Sequence, residues 1–214
     1  MPAKYLLPIA AGSALLLTAS QGFAQSVTNG TFDANDQDFT TFPGYVGAAG
    51  SPTFVTGFTD SNSGGGYGIN GGESNTGNPF IAGTGETDAT LFIQGGAILT
   101  QAISGFTVGN PYQLTFNYNA RDTNTNSQPG LDISIAGQQF LSGAITTQNG
   151  DYSGSITFTA TNATETLSIS KVNLGGDSTV LVDNLVVTAL VPEPGSLALL
   201  SAGLVGWLSR RRRS

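Results

Sequence analysis

The sequence predicts an all-β fold, an antiparallel β-sandwich or jelly roll, for residues 25–190 of the 214-residue chain. Apolar and polar residues alternate with a period of two in several short segments, whereas no segment here shows a convincing helical period. Turn-forming residues such as Gly109-Asn110-Pro111 separate these segments. Alternation between turns is typical of antiparallel strands that bury one face and expose the other.

Four segments show the alternation most clearly, and each is predicted to be a strand. Their apolar residues are Tyr112, Leu114, Phe116 and Tyr118; Leu131, Ile133 and Ile135; Ile156, Phe158 and Ala160; and Leu167 and Ile169. The residues between them are Ser, Thr, Asn, Asp or Gln, so alternate side chains are expected to face the core.

The region from residue 44 to residue 85 differs, because it holds 13 of the 30 glycines. Short strands are predicted at Thr53–Phe58 and Tyr67–Ile69, and the rest is predicted to be loop. Loops of this length in a compact domain are usually functional or mobile.

The composition excludes several kinds of function. The chain contains no Cys and no His, so it has no disulfide, no thiol nucleophile, no Cys/His zinc site and no Ser-His-Asp triad. Residues 25–190 include 13 acidic and two basic residues, a net charge of −11. This charge disfavours nucleic acid as a partner, since binding it requires a basic surface, and it favours cations.

Residues 1–24 have the features of a secretory signal peptide. Lys4 provides a positive charge, Tyr5–Ala19 form an apolar segment, and Gly22-Phe23-Ala24 is a small-x-small cleavage site. An N-terminal membrane anchor is the alternative, although the apolar segment is short for a membrane span. We therefore expect export and cleavage after Ala24.

Residues 191–214 contain three features in order: Pro192-Glu193-Pro194, an apolar segment from Leu197 to Leu208, and a run of Arg residues. A helix of about a dozen residues spans roughly 18 Å, which is less than the hydrocarbon core of about 30 Å. The segment is therefore predicted to be a short, marginal transmembrane helix whose end residues snorkel to the membrane surface. The run Arg210, Arg211, Arg212 and Arg213 would stop transfer and hold the C-terminus in the cytoplasm.

This C-terminal arrangement resembles a PEP-CTERM sorting signal. The resemblance implies export across the inner membrane of a Gram-negative bacterium that makes extracellular polysaccharide. It also implies recognition by an exosortase at or near Pro192, Glu193 and Pro194, with the membrane contacted through the C-terminal helix before processing. The alternative is a plain C-terminal anchor in which Pro-Glu-Pro is incidental.

Three segments of the body resemble galactose-binding-like jelly rolls, a superfamily that includes many carbohydrate-binding modules. They are Asn29-Gly30-Thr31-Phe32-Asp33, the stretch from Leu99 to Phe116, and Val180–Val187. Sugar-binding members commonly use an aromatic platform, often Trp, but the only Trp of this chain is Trp207. If the body binds a glycan, the resemblance leaves Tyr45 or Tyr67 to stack on the sugar.

The same resemblance implies a structural Ca²⁺ site. Asp33 and Asp183 align with positions that often bind Ca²⁺ in these jelly rolls, where they join the first strand region to the last. The alternative is that both carboxylates cap turns through their own backbone.

Together these features predict an exported, exosortase-processed protein of the cell envelope, cell surface or extracellular matrix. A non-enzymatic structural or interaction role in an exopolysaccharide or biofilm matrix is the first hypothesis. A carbohydrate-binding module recognising matrix glycans is the second, and a small secreted hydrolase is the third. The absence of His and Cys argues against the third.

Changing Pro192, Glu193 and Pro194 together to Ala should leave export intact and stop C-terminal processing, because the enzyme would lose the motif that it recognises. The mass of the exported protein measures this directly. Trimming of the triple variant at the wild-type rate would contradict an exosortase signal.

Overall fold

The computed structural model describes residues 25–35, 38–39, 44–49, 51–70, 89–121, 128–146, 151–172 and 178–190. The predicted signal peptide, residues 1–24, and the predicted sorting signal, residues 191–214, lie outside the described residues. The described residues form one turn of 3-10 helix at Asp33–Asn35 and ten strands. The strands are β1 Thr59–Asp60, β2 Tyr67–Asn70, β3 Thr90–Ile93, β4 Ile98–Ser104, β5 Pro111–Ala120, β6 Gly130–Ile135, β7 Gln138–Leu141, β8 Tyr152–Thr159, β9 Thr164–Val172 and β10 Val180–Ala189. Across this described part, no helix has the length and apolar character needed to cross a membrane.

Two five-stranded antiparallel sheets form the domain, which confirms the predicted fold class. The first sheet has the order β1-β4-β9-β6-β7, and the second has the order β2-β3-β10-β5-β8. The pairs β3–β10, β4–β9, β5–β8 and β6–β7 are nested along the chain. This nesting is the strand order of a jelly roll, in which a long folded ribbon supplies neighbouring strands to both sheets.

The inward side chains are those that the alternation predicts. Tyr112, Leu114 and Phe116 of β5 are buried, and so are the alternate apolar residues of the other predicted strands: Leu131, Ile133, Ile135, Ile156, Phe158, Ala160, Leu167 and Ile169. All of them belong to one core cluster between the sheets. Tyr118 is only partly buried but packs against that cluster.

The glycine-rich region was predicted less well. Thr53–Phe58 is not a strand; the chain there makes turns, and the only pairing nearby is the two-residue β1 that follows. Val55 and Phe58 are nevertheless buried, so both side chains pack in the core although their backbone is not paired in a β-sheet. Tyr67–Ile69 is extended, as predicted, within β2.

Like β1, strands β3 and β7 were not predicted, and Asp33 lies in a different element from the one expected. All four residues of β3 are buried, so that strand has no polar alternation. The edge strand β7 is mostly exposed and carries little apolar signal. Asp33 lies in the single-turn helix rather than in a first strand.

The Asn29-Gly30-Thr31-Phe32 motif has a structural role. The N–H of Leu185 in β10 donates to Gly30 O at 2.9 Å, and a Cβ on Gly30 would lie 2.3 Å from Leu185 O. Asn29 adopts a φ of 56° and its Oδ1 accepts the N–H of Ala34 at 3.0 Å. Phe32 is fully buried, with its ring centroid 5.6 Å from that of Phe58. The motif thus fixes the N-terminal turn against the last strand.

Phe116→Ala should lower the free energy of unfolding by about 3–5 kcal/mol, the usual cost of removing a buried Phe. Its ring is 1% exposed and lies so close to Gly154 that a Cβ there would be 2.2 Å from Phe116 Cε2. Asn117→Ala, on the opposite face of β5, should cost far less. Denaturant titration compares the two variants, and equal costs would contradict the assigned faces.

Candidate functional site

A shallow, open groove of about 490 Å³ lies on the outer face of the second sheet. It crosses the three adjacent strands β10, β5 and β8. The residues that line it are Gln113, Thr115, Phe116, Asn117, Ser153, Gly154, Ser155, Asn184 and Val186. These lining residues carry no formal charge, and most of them end in an amide or a hydroxyl. The groove can therefore both donate and accept hydrogen bonds with an uncharged ligand.

Strand register arranges the groove residues in rows. Val186 of β10, Thr115 of β5 and Ser155 of β8 lie opposite one another, and Asn117 pairs with Ser153 in the next row. Gln113 of β5 provides a further row beyond Thr115. Rows two residues apart along a strand are separated by roughly 7 Å, and strands by about 4.8 Å, so the rows form a shallow grid of polar groups.

A β-bulge in β10 shapes one side of the groove. The register between β10 and β5 shifts between Asp183 and Val186, and Asn184 adopts a φ of 54°. The Asn184 N–H donates to Asp183 Oδ1 at 2.6 Å, which holds the bulge through the preceding side chain. The extra residue brings Asn184 into the groove lining and leaves Val186 50% exposed beside it.

Tyr45 lies against the other half of the same sheet. It forms an isolated bridge with Gly68 of β2, and its ring meets Phe92 edge to face with centroids 5.1 Å apart. Phe92 and Leu181 form a small apolar cluster separate from the main core, and Tyr45 packs on it half-buried. Stacking of Tyr45 on a sugar stays a prediction.

The structure places Tyr67 differently from the sequence-based expectation. Its ring is 6% exposed and belongs to the core between the sheets. Burial, with a smaller effect from the Asp60 carboxylate, raises the pKa of its hydroxyl above 10.0. A buried ring offers no face to a ligand in solvent, so the prediction that Tyr67 stacks on a sugar is corrected.

Asp33 follows Gly30 by three residues and Asp183 precedes Leu185 by two, and the backbones of Gly30 and Leu185 are hydrogen-bonded. Asp33 is exposed, and its Oδ2 accepts the Thr31 hydroxyl at 2.6 Å. Asp183 is 3% exposed, and its two oxygens accept the N–H of Asn184 and, at 3.3 Å, its side-chain amide. Among the described residues, no group of three or more His, Cys, Asp or Glu side chains could hold a metal ion. Because Ca²⁺ takes about six to eight oxygen ligands, a site here would need backbone carbonyl or amide oxygens beside these two carboxylates.

Sequence analysis did not identify the groove residues as a site. Gln113, Thr115, Asn117 and Ser155 are polar positions of the alternating segments and were predicted only to face solvent, whereas Ser153 precedes the predicted strand. The available signal was their chemistry: two neighbouring strands carry amides and hydroxyls without charge on that face. Which strands are neighbours is decided by the strand order.

Comparison with known proteins identifies the C-terminal segment. Residues 190–213 match the PEP-CTERM protein-sorting motif. The chain therefore carries this motif, which implies export and processing by an exosortase. No curated protein sequence matches the chain.

Several solved structures resemble the body. The enzymatically active domain of tailspike protein 4 of bacteriophage CBA120 has a TM-score of 0.46 and 11% identity, covering 78% of this chain but only 22% of that one. A CBM4 structure has a TM-score of 0.40 and 14% identity, covering 77% of this chain and 99% of that one. TmCBM61 in complex with β-1,4-galactotriose has a TM-score of 0.42 and 6% identity, covering 77% and 98%.

If Asp33 and Asp183 hold Ca²⁺, the melting temperature of residues 25–190 should rise with millimolar Ca²⁺ and fall with a chelator. A site present only in the folded state stabilises by mass action, by about 2.7 kcal/mol at one hundred times the dissociation constant. Mg²⁺ should substitute poorly because it requires a tight octahedral shell. Asp183→Asn should abolish the response, whereas superimposable melting curves with Ca²⁺ and with chelator would identify both residues as turn caps.

Proposed function

We propose that this is a non-enzymatic protein of the cell surface or extracellular matrix whose β-sandwich binds a neutral polysaccharide in the groove on the outer face of the second sheet. The observation that carries the proposal is the lining of that groove. Amide and hydroxyl groups of β5 and β8 face outward in register, and the Asn184 amide at the β10 bulge and the exposed apolar side chain of Val186 lie beside them.

The chemistry of the lining suits a sugar chain. Sugar hydroxyls both donate and accept hydrogen bonds, as do the side chains of Gln113, Asn117 and Asn184 taken together. Val186 offers an apolar surface that the C–H face of a sugar ring can cover. The groove is open to solvent, so a sugar chain can reach the lining residues directly.

Charge favours a neutral ligand over an acidic one. The lining residues are uncharged, while residues 25–190 carry a net charge of −11. An anionic polysaccharide would be repelled by this charge at low ionic strength and would find no cation in the groove lining. We therefore propose that the ligand is a neutral polymer of the matrix.

The sorting motif provides the location for this activity. An exported protein that is processed at the cell envelope reaches the compartment where extracellular polysaccharide accumulates. A binding role also fits the lining, since catalysis of glycoside hydrolysis generally uses a pair of carboxylates flanking the bond. The residues that line this groove carry amides and hydroxyls instead of carboxylates.

Affinity electrophoresis of residues 25–190 tests the proposal. Gels containing a neutral β-glucan or galactan should retard the protein, and a polyuronate gel should not. The double variant Asn117→Ala with Ser155→Ala should lose most of the retardation, because one removes an amide and the other a hydroxyl from neighbouring rows of the groove.

Thr157→Ala is the matched control, since Thr157 is exposed on the same face of β8 but does not line the groove. It should migrate like the unchanged protein. Equal retardation of the double variant and the unchanged protein would place glycan binding elsewhere. Absence of retardation in every neutral gel would leave a structural matrix role without glycan binding, the first hypothesis above.

A further inference from the structure

The folded domain continues almost to the sorting motif. The Leu190 N–H donates to Pro111 O at 3.0 Å, so the chain is still hydrogen-bonded to β5 at this residue. The matched sorting segment itself begins at residue 190. Only Val191 separates this last hydrogen bond from Pro192.

This connection leaves little free chain for a processing enzyme. One extended residue spans at most about 3.6 Å. An enzyme that acts at or near Pro192-Glu193-Pro194 must enclose the peptide on both sides of the bond that it breaks, and peptides in such clefts are generally extended. With β10 fully paired, the chain is held in the second sheet up to Leu190.

The last residues of β10 are held differently from the rest of the strand. Val187 is the last buried side chain of the strand, at 8% exposure. Thr188, Ala189 and Leu190 are all exposed. Their connection to the described part of the domain is backbone pairing: Thr188 with Gln113, Ala189 with Tyr112, and Leu190 with Pro111.

We propose that residues 188–190 separate from β5 when the sorting motif is processed, and that the exosortase binds them in extended form as the upstream part of its substrate. Separation breaks a few backbone hydrogen bonds but removes no buried side chain from the core. It lengthens the stretch of chain between the last β10–β5 hydrogen bond and Pro192 from one residue to four, or to roughly 14 Å when extended. Val187 and the bulge docked on Gly30 keep the remainder of β10 in place.

A disulfide between Thr188→Cys and Gln113→Cys tests the proposal by preventing separation. The two positions are register partners, at a Cα separation of about 4.5–5.5 Å that suits a disulfide. The chain has no native Cys, so no competing bridge can form. The full-length protein is expressed in a host with an exosortase, bridge formation is verified by mobility with and without reductant, and intact mass measures the processed fraction.

Gln113→Cys with Thr157→Cys is the matched control, because Thr157 pairs with Gln113 from the other side and bridges β5 to β8. We expect the Thr188 bridge to reduce the processing rate at least tenfold and the control bridge to leave it near the wild-type rate. Inserting six Gly/Ser residues between Leu190 and Val191 in the Thr188-bridged chain should restore processing, because the insertion supplies the free segment by another route.

Processing of the Thr188-bridged protein at the control rate would overturn the proposal, and so would a block that the insertion does not relieve. The variant with Pro192, Glu193 and Pro194 all changed to Ala provides the mass of the unprocessed protein in the same assay. The result is independent of glycan binding, since none of the compared rates depends on a ligand in the groove.

Discussion

The structure depends on the pairing of β10, the last strand of the domain, on both of its sides. It lies between β3 and β5 in the centre of the second sheet, and its residues Val180, Val182, Leu185 and Val187 belong to the core. A jelly roll places its final strand next to an early one because the ribbon folds back on itself. The second sheet is therefore complete only when residues 180–189 pair with both neighbours. The core and the groove each need this strand, because it supplies side chains to both.

The bulge in β10 connects the two ends of the domain. At Asn184 the strand gains an extra residue, and the N–H of Leu185 is directed to Gly30 O. The N-terminal turn is in turn fixed to the first sheet by Gln101, whose side-chain amide donates to Thr28 O and to Gly57 O, each at 2.9 Å. The N-terminal turn and the β10 bulge, which are distant in sequence, thus stabilise the sandwich through hydrogen bonds. A domain with a smaller core would need a disulfide for the same purpose.

Lys171, one of the two basic residues between residues 25 and 190, links the two sheets. Lys171 of β9, in the first sheet, donates from Nζ to Gln94 O at 2.5 Å and to Ser178 O at 3.1 Å. Gln94 follows β3 and Ser178 precedes β10, so one side chain joins the first sheet to the end of the second sheet where Ile93 of β3 pairs with Val180 of β10. Hydrogen bonds from a charged donor are stronger than neutral ones, about 1.5–3 kcal/mol, which suits a position that links two layers.

The sequence by itself determined the strands with clear alternation, their buried residues and the C-terminal sorting motif. A period of two fixes which side chains of β5, β6, β8 and β9 face the core, and the motif is a local pattern that needs no fold. The tertiary structure alone decided the burial of Tyr67, the helical turn at Asp33 and the position of the groove. These features depend on which strands become neighbours and on close backbone approaches such as that of Gly30 to Leu185. Thr115 and Val186, which pair across the groove, are more than seventy positions apart, and neither segment alone carries a signal of that pairing.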